Sequence, residues 1–432
     1  MSNDLEGRVA AARRAFADRN PGSRLYFEQA RRVLPGGHTR TVLTHLPFPL
    51  TFTKGEKAML TDVDGHTYRD FLGDYTAGLF GHSEHRIREA ADRALRENAS
   101  VGGIHAGEEV LARLMCQRFG LDRVRFTNSG TEANLMAITT ALTATGRRRL
   151  LVCSGAYHGG LLYFIHGSAP WNAPYNFLLT PYNDLAAAVA SIEEAGTELA
   201  AVLLEPMLGA AGCIPATAAF LSGVSEAARG VGAVVIFDEV MTSRQGPRGM
   251  AALLGVEPDL RTFGKYLGGG FSFGAFGGQA ELMDLYDQTA PGGPTIAHAG
   301  TFNNNLASIT AGRVVLEEIF TAEIAEEHRL RGDRFRQAVE GVVAESRGPL
   351  TVTGFGSMMS LHALSPAPTN GEEAEVHDGL LQELIFLELL QRGIYIAPRG
   401  MINLSLAHEA ADLEAFLEAL ADCLASSLVF GA

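Results

Sequence analysis

The sequence predicts an α/β protein in which a parallel sheet is flanked by crossover helices. Three observations support this fold class. Short apolar runs alternate with helical patterns in the middle of the chain, many of the 49 glycines lie at the carboxyl ends of those runs, and long helices with strand-like pieces follow. Because open α/β sheets bind ligands at the carboxyl ends of their strands, we expect the functional site there.

The elements of the sheet follow from short apolar runs that are separated by segments with helical periodicity. The strand candidates are residues 124–127, 150–154, 200–204, 233–237 and 260–263. The helix candidates between them are residues 131–145, 184–195 and 218–229. This alternation is typical of strand–helix–strand units, in which the helix crosses over the sheet.

A smaller α+β domain is predicted from both ends of the chain. Its helix candidates are residues 306–320, 322–345, 377–391 and 410–428, and its strand candidates are 350–355, 359–364, 394–397 and 402–406. The amphipathic stretch 8–18 is expected to pack beside them. We therefore divide the chain into an N-terminal segment of the small domain (1–60), a large domain (61–305) and a C-terminal small domain (306–432).

Composition and charge restrict the kinds of partner. A net charge of −14 disfavours binding to nucleic acid or to an anionic membrane surface. The least charged stretch, residues 151–183, contains three prolines and is therefore no membrane span, and the acidic N-terminus does not resemble a targeting signal. Four cysteines without a CxxC pair argue against a disulfide framework or a zinc site. We expect a cytoplasmic protein without a metal.

The stretch "TFGKYLGGGFSFG", residues 262–274, has three interpretations. A phosphate loop of the Walker type fails, because Tyr266 follows Gly264-Lys265 where Ser or Thr is required. A serine-hydrolase elbow around Ser272 matches by letters, but an elbow needs a strand before the serine and a helix after it. It is kept as a remote alternative. In the third interpretation, Lys265 is itself the reactive group.

The neighbouring motif "VVIFDEV" favours a reactive lysine. It places Asp238 at the end of a buried strand, where an ionised carboxylate is costly unless a cation meets it. A turn cap or a pair with Arg244 would also explain this aspartate. Lys265, however, ends the next strand, and a carboxylate for a pyridinium nitrogen plus a lysine for an imine are the two groups that pyridoxal phosphate needs.

The motif "RFTNSGTEAN" predicts a binding site for the phosphate of this cofactor. A strand leads into Ser129, Gly130 and Thr131, and a helix begins there. Free backbone N–H groups and hydroxyls therefore converge on an anion at the positive end of the helix. The alternative is an ordinary helix cap with Glu132 in the first turn. Together with Asp238 and Lys265, the motif becomes fairly specific.

From about Arg32 to the C-terminal helix, the sequence resembles the class III, fold-type I pyridoxal-phosphate aminotransferases. The segments "FTNSGTEAN", "AYHGG", "LLEP", "FDEVMTSR", "TFGKYLGGG" and "AGTFNNN" match in order and spacing. Within the class, the chain is most similar to the β-amino-acid (β-phenylalanine) aminotransferases, and next to the glutamate-1-semialdehyde aminomutases. The resemblance implies a mostly parallel seven-stranded sheet in a large cofactor-binding domain.

The resemblance also implies a role for individual residues. Lys265 would bond to the cofactor and later move a proton, and Asp238 would hold the pyridinium nitrogen. The other cofactor-binding residues would be Tyr157 and Val240 on the two ring faces, Glu205 near the phenolic oxygen, and Ser129, Gly130 and Thr131 at the phosphate with Thr301 from a second subunit. Leu208 stands where the family often has Gln. Without the resemblance, Tyr157 could equally be a packing residue, and Thr301 part of an asparagine-rich turn.

Substrate recognition requires arginines, because the substrates carry carboxylates and the protein is acidic. The candidates are Arg40 in "PGGHTRTVL" and Arg399 in "APRGM". Either could simply be solvated, but the β-amino-acid aminotransferases carry carboxylate-binding arginines at both matching positions. One would then bind the β-amino acid and the other a 2-oxo acid such as 2-oxoglutarate. Tyr75 would wall the pocket, although core packing would explain it equally well.

The expected activity is therefore a ping-pong amino transfer from a β-amino acid to a 2-oxo acid by a homodimer with shared active sites. An aminomutase would need no external acceptor, and a serine hydrolase would depend on Ser272 rather than on Lys265. These remain the alternatives.

Overall fold

The computed structural model describes residues 2–97, 102–291, 295–346, 348–426 and 429. The chain folds into two compact units. The first unit contains Met1–Glu84, Arg331–Pro368 and Val376–Ala432, and the second contains His85–Leu330 and Thr369–Glu375.

The α-helices in the described residues are numbered in chain order. They are α1 (Ser2–Arg19), α2 (Pro21–Ala30), α3 (His85–Glu97), α4 (Ala106–Phe119), α5 (Gly130–Thr145), α6 (Leu185–Ala195), α7 (Ala218–Gly230), α8 (Met250–Leu253), α9 (Ala280–Met283), α10 (Leu306–Val314), α11 (Ala322–Glu345), α12 (Gly371–Ala374), α13 (Gly379–Gln391) and α14 (Ala410–Ala425). A π-helical turn, Val315–Ile319, continues α10.

The strands are numbered in the same way. They are β1 (Phe52–Glu56), β2 (Met59–Asp62), β3 (Thr67–Asp70), β4 (Arg123–Thr127), β5 (Arg149–Cys153), β6 (Asn176–Thr180), β7 (Leu199–Leu204), β8 (Met207–Leu208), β9 (Ile214–Pro215), β10 (Val234–Asp238), β11 (Leu260–Gly264), β12 (Gly274–Gly278), β13 (Thr351–Phe355), β14 (Met358–His362), β15 (Ile394–Tyr395) and β16 (Met401–Asn403).

The second unit is built on a sheet to which its described residues contribute seven strands, in the order β4-β12-β11-β10-β7-β5-β6. The neighbours in β11-β10-β7-β5-β6 run parallel, whereas β12 is antiparallel to both β11 and β4. Every residue of β7, β10 and β11 is buried. Burial on both faces is why β7 and the first four residues of β10 read as unbroken apolar runs. The predicted α/β fold, with a mostly parallel sheet flanked by helices, is confirmed.

The antiparallel strand β12 was missed in the sequence because its motif, "GAFGG", is rich in glycine, which usually weakens a strand. The structure gives the physical reason for these glycines. A Cβ atom on Gly274 would lie 2.1 Å from the carbonyl oxygen of Ser129, and one on Gly277 would lie 2.4 Å from that of Arg123. Side chains are therefore excluded where β12 approaches the neighbouring backbone. The edge strand β6 was missed as well.

The first unit draws on both ends of the chain. The strand β15 pairs in parallel with β3, so that a C-terminal strand completes the sheet β1-β2-β3-β15, and a second sheet has the order β13-β14-β16. Helix α1 packs against α13, and Val9, Phe16 and Leu384 lie in one buried apolar core. The unit therefore has its own core.

The domain boundaries proposed from the sequence, 1–60, 61–305 and 306–432, stay a prediction. In the structure, residues 61–84 belong to the first unit, since β2 and β3 pair with β1 and β15 there. Residues 306–330 belong to the second unit, because α10 packs against α3 and α4. Across the described ranges of the chain, the helices include none with the length and apolar character that crossing a membrane requires.

Candidate active site

Three ionisable residues lie at the carboxyl ends of neighbouring strands. Asp238 is the last residue of β10, Glu205 directly follows β7, and Lys265 directly follows β11. The order β11-β10-β7 and the pairing of Asp238 with Thr262 bring these strand ends to the same edge of the sheet. This is the edge at which the sequence predicted the site.

The carboxylate of Asp238 is buried and accepts three hydrogen bonds. Its Oδ2 atom accepts from Asn134 Nδ2 at 2.7 Å and from His158 Nδ1 at 2.9 Å, and Oδ1 accepts from the backbone N–H of Val240 at 3.0 Å. Asn134 is itself held by Thr262, whose Oγ1 donates to Asn134 Oδ1 at 2.6 Å. The aspartate therefore caps a turn, as one alternative predicted, and is also fixed by a side-chain network.

The contact with Asp238 determines which nitrogen of His158 carries a proton. An ionised carboxylate can only accept hydrogen bonds, so Nδ1 must be the donor. The Nε2 atom is buried, and no described residue forms a hydrogen bond with it. The backbone oxygen of His158 accepts a second bond from Asn134 Nδ2 at 2.9 Å, which ties this residue to the same network.

Glu205 is a second buried carboxyl group, and its donors are backbone groups. Tyr157 N donates to Oε1 at 2.9 Å, and Gly209 N donates to Oε2 at 3.0 Å. Burial raises the pKa of Glu205 to about 7; the charge of Asp238 acts in the same direction, whereas His158 and the two N–H groups oppose it. Glu205 therefore titrates in the neutral range.

Leu208, which stands where the family often has Gln, is fully buried in β8 and belongs to the apolar core of the second unit. A Cβ atom on Gly155 would lie 3.3 Å from its Cδ1 atom. The leucine thus fills apolar space in that core, and the hydrogen bonds of Glu205 come from the backbone.

The predicted phosphate loop precedes α5. Ser129 is its N-cap residue, with Oγ accepting from Glu132 N at 3.2 Å, and Thr131 Oγ1 accepts from Gly160 N at 3.3 Å. A Cβ atom on Gly130 would lie 2.8 Å from Val240 Cγ2. The loop is therefore closely bounded, and it leads into a helix N-terminus, whose positive end favours an anion.

The loop from Ala156 to Gly160 contacts this phosphate loop. Gly159 has φ = 122°, and a Cβ atom there would lie 2.1 Å from Thr131 Oγ1. The ring of Tyr157 makes an edge contact with Tyr163, with 5.9 Å between their centroids. Tyr157 and Val240 are both partly exposed, as residues must be that contact a ligand.

Lys265 has a left-handed backbone conformation, with φ = 55°. Such a conformation is uncommon outside glycine, and it is concentrated at functional sites, where the surrounding structure enforces it. Lys265 directly follows β11 and is the first residue of a short 3-10 turn, Lys265–Gly268. The chain turns sharply at the residue that we predict to be reactive.

Thr301 is exposed and lies in a turn that is tethered to the phosphate loop of the same chain. Asn303 N donates to Gly300 O at 3.2 Å, and Asn128 Nδ2 donates to Asn303 Oδ1 at 3.0 Å. The role of Thr301 in the site of a second subunit stays a prediction.

This geometry fits pyridoxal phosphate. A buried carboxylate is held at one strand end, a partly exposed lysine stands at the end of the adjacent strand, and a helix N-terminus is bounded by two glycines at which a Cβ atom would collide with Val240 or Thr131. These groups match the ring nitrogen, the reactive carbon and the phosphate of the cofactor.

The three residues that we predict to bind the substrates lie close together in the first unit. The guanidinium carbons of Arg40 and Arg399 lie 5.6 and 4.8 Å from the ring centroid of Tyr75. The tyrosine is buried, and its hydroxyl donates to Val42 O at 2.7 Å. Burial raises the pKa of Tyr75, and the two guanidinium groups oppose this shift. Arg40 also forms an ion pair with Asp74.

The structure does not give Ser272 the environment of a hydrolase nucleophile. An elbow requires strand, serine and helix in that order, whereas Ser272 is exposed and precedes the strand β12. In the residues that the structure covers, we find no group of three His, Cys, Asp or Glu side chains that could hold a metal.

Sequence reasoning missed the residues that support the site. Asn134 and Thr262 hold Asp238 in place, and Asp74 pairs with Arg40. The sequence does contain one indication for Asn134 and Thr262. Each is a polar residue in an otherwise apolar helix or strand, and a buried polar side chain needs a hydrogen-bond partner. Asp74 carried none, because an acidic residue in a loop is ordinarily solvated.

The chain is similar to known proteins over almost its whole length. The family model "Aminotransferase class-III" matches residues 43–424. A β-phenylalanine transaminase of Variovorax paradoxus is 46% identical over 96% of this chain and 95% of that protein, and a glutamate-1-semialdehyde 2,1-aminomutase of Methanothermobacter thermautotrophicus is 34% identical over 92% and 97%. The crystal structure of a β-phenylalanine aminotransferase from V. paradoxus superposes with a TM-score of 0.94, at 46% identity and 97% coverage of both chains. A transaminase structure with PLP bound superposes with a TM-score of 0.88, at 28% identity over 95% and 99% of the two chains.

The chain belongs to the class III aminotransferase family. It is accordingly a fold-type I, pyridoxal-phosphate-dependent aminotransferase, whose substrates are small amino and keto acids, and the site described above fits that cofactor.

Proposed function

We propose that this aminotransferase moves the amino group of a β-amino acid, such as β-phenylalanine, to a 2-oxo acid such as 2-oxoglutarate by a ping-pong mechanism. The observation that carries the proposal is the pair of arginines on one tyrosine ring. Among the residues that the structure describes, the buried Nε of Arg399 has no hydrogen-bond partner, and its Nη2 atom contacts a methionine sulfur at 3.5 Å. Two guanidinium groups match two reactants that each carry a carboxylate. The similar transaminase of V. paradoxus supports the choice of amino donor.

The residues at the strand ends would hold the cofactor. Asp238 would keep a proton on the ring nitrogen, Tyr157 and Val240 would cover the two faces, and Glu205 would lie near the phenolic oxygen. Ser129, Gly130 and Thr131 would bind the phosphate, together with Thr301 of a second copy. When bound, the cofactor supplies an electron-poor ring that withdraws electrons from the substrate carbon.

The network around Asp238 supports its part in the proposal. A carboxylate stabilises a protonated ring nitrogen only if it stays ionised and in place. The hydrogen bonds from Asn134, His158 and Val240 hold the carboxylate in place. The acid is therefore preorganised before any ligand arrives.

Lys265 would carry the proton in the reaction. Its Nζ would remove the proton from the amino-bearing carbon of the substrate and later return it to the product side, as general base and then general acid. Water must be kept away during this step, and Tyr157 and Val240 would exclude it from the two faces of the ring.

Arg40 would bind the carboxylate of the amino acid, and Arg399 that of the 2-oxo acid. Replacing Arg40 with Ala should then raise the KM for β-phenylalanine steeply, and Arg399→Ala should raise the KM for 2-oxoglutarate. Unchanged kinetics in both variants would contradict the assignment.

An aminomutase is the second candidate, because a curated relative of that name is 34% identical to this chain. The two functions differ in their need for an acceptor. We expect an absorbance band near about 410–430 nm, from a protonated imine on the cofactor, that bleaches with β-phenylalanine and returns on addition of 2-oxoglutarate. Conversion of glutamate 1-semialdehyde without any 2-oxo acid would favour the aminomutase instead.

A homodimer with shared sites, located in the cytoplasm, completes the proposal. Mixing a Lys265→Ala variant with a Thr301→Ala variant tests the sharing. If Thr301 binds the phosphate in the other subunit's site, mixed dimers contain one site that lacks both groups and one site that retains both. The mixture should therefore recover activity that neither variant has alone.

A further inference from the structure

Four consecutive residues of the first unit have left-handed backbone conformations. The φ angles are 54° at Gly73, 47° at Asp74, 52° at Tyr75 and 79° at Thr76. Only glycine adopts this region freely, and a bulky residue such as Tyr75 is a genuine outlier there. Such strain persists where the surrounding structure enforces it, and it is concentrated at functional sites.

Hydrogen bonds from several directions hold this turn. Asp70 Oδ1 accepts from the N–H groups of Leu72 and Gly73, both at 3.0 Å, and Gly78 N donates to Gly73 O at 2.8 Å. The hydroxyl of Tyr75 donates to Val42 O at 2.7 Å, which joins the turn to the segment that carries Arg40. The turn is therefore a fixed part of the substrate cluster, which is the group formed by Tyr75 and the two arginines on its ring, Arg40 and Arg399.

The turn delivers a carboxylate to one arginine of that cluster. Asp74 Oδ1 lies 2.5 Å from Arg40 Nη1, and the two side chains are 54% and 45% exposed. Among the described residues, no ion pair of Arg399 is found, and its buried Nε lacks a hydrogen-bond partner. The two guanidinium groups on the Tyr75 ring therefore differ: one already has a carboxylate partner from the chain itself.

We propose that Asp74 is a specificity-determining residue, whose carboxylate occupies Arg40 until a substrate carboxylate replaces it. This inference rests on the proposed function, in which Arg40 binds the carboxylate of the amino acid. The exchange is chemically balanced, since one carboxylate replaces another on the same guanidinium and no proton moves. Because the pair is half exposed, water can solvate Asp74 once it is released.

The pair also sets the charge of the cluster. With Asp74 present, two guanidinium groups are opposed by one carboxylate, which leaves an excess of one positive charge rather than two. Asp74 thereby weakens the attraction of Arg40 for any carboxylate and leaves Arg399 as the uncompensated cation. The amino acid and the 2-oxo acid then meet arginines of unequal strength.

The Asp74→Asn variant tests this inference. Asn tolerates φ = 47° at least as well as Asp, so the turn should be retained. We expect the KM for β-phenylalanine to fall about two- to fivefold, the range for an exposed ion pair, while kcat and the KM for 2-oxoglutarate stay the same. The fall should shrink at high salt. An unchanged or raised KM for β-phenylalanine would overturn the inference.

Three further variants make the result specific. Asp92→Asn removes an equal charge from an exposed pair with Arg96 on α3 and should leave both KM values unchanged. In an Arg40→Ala background, Asp74→Asn should have no effect on KM. If Asp74→Asn lowers the yield of folded enzyme, Asp74→Gly keeps the left-handed conformation and should lower KM in the same way.

The outcomes separate the two claims. If Arg40→Ala raises the KM for β-phenylalanine but Asp74→Asn does not lower it, the role of Asp74 is wrong and the proposed function stands. If Arg40→Ala leaves that KM unchanged, the assignment of Arg40 is wrong, and the inference about Asp74 falls with it.

Discussion

The side chain of Asn134 connects the residues that hold the candidate cofactor acid, and replacing it with Ala tests that network. Asn134 is almost fully buried, donates to Asp238 Oδ2 and to His158 O, and accepts from Thr262 Oγ1. In Asn134→Ala, the last two groups lose their partner and Asp238 keeps only His158 at Oδ2. At about 1–3 kcal/mol for each of the two groups that lose their partner, we expect a loss of about 2–6 kcal/mol.

That loss is large beside the roughly 5–15 kcal/mol by which domains are stable. It should lower Tm by about 4 °C or more in a thermal melt. The affinity for pyridoxal phosphate, titrated by absorbance, should fall as well, because Asp238 is less firmly held.

Thr262→Val is the matched control, since it leaves Asn134 bonded to both Asp238 and His158. It should cost about 1–3 kcal/mol and change cofactor affinity little. If Asn134→Ala melts like the wild type and binds the cofactor equally well, the network does not support Asp238.

Three further predictions follow from the site. The pKa of buried Glu205, about 7, lies above the ordinary carboxyl value of 4.5, so folding favours the protonated form of Glu205. As the pH rises from 4.5 through 7, the free energy of unfolding of the wild type should therefore fall by about 3 kcal/mol relative to that of Glu205→Gln, as measured by denaturant unfolding. A pH-independent difference would contradict this. Gly159→Ala should weaken cofactor binding at least tenfold, because the new Cβ would lie 2.1 Å from Thr131 Oγ1 and φ is 122°; wild-type affinity would mean that the loop is not part of the phosphate site. Lys265→Ala should abolish transamination and Ser272→Ala should not, and the opposite pattern in an activity assay would support the hydrolase instead.

The sequence allowed prediction of what depends on local pattern. Strands β5, β7 and β10 are parallel and mostly buried and apolar, and they were found with ends within a residue or two of those in the structure. Strands β4 and β11, which contain polar residues, were found with the same accuracy. Helix α5 was predicted as well, from the capping motif at its N-terminus. The strand β12 was missed because its composition is rich in glycine. The edge strand β6 was missed although residues 177–179 form a short apolar run.

What the sequence could not supply is the set of contacts between distant segments. Asn134 meets Asp238 across 104 residues, and Thr262 meets Asn134 across 128. No local pattern encodes such a pair, since each polar residue is compatible with several partners until the sheet order is known. The acid at the end of β10 could be recognised, but the groups that hold it could not.

The two arginines illustrate the same limit. In the sequence alone, Arg40 and Arg399 are equivalent surface cations, and the resemblance implies that each binds a substrate carboxylate. The left-handed turn at residues 73–76 distinguishes them, because it brings Asp74 to the guanidinium of Arg40. Non-glycine residues pass through that conformation only where other contacts compensate the strain, and here those contacts include the hydroxyl of the tyrosine on which both arginines lie. The strained turn and the unequal arginines are therefore one feature of the structure, and the KM of the Asp74→Asn variant tests both together.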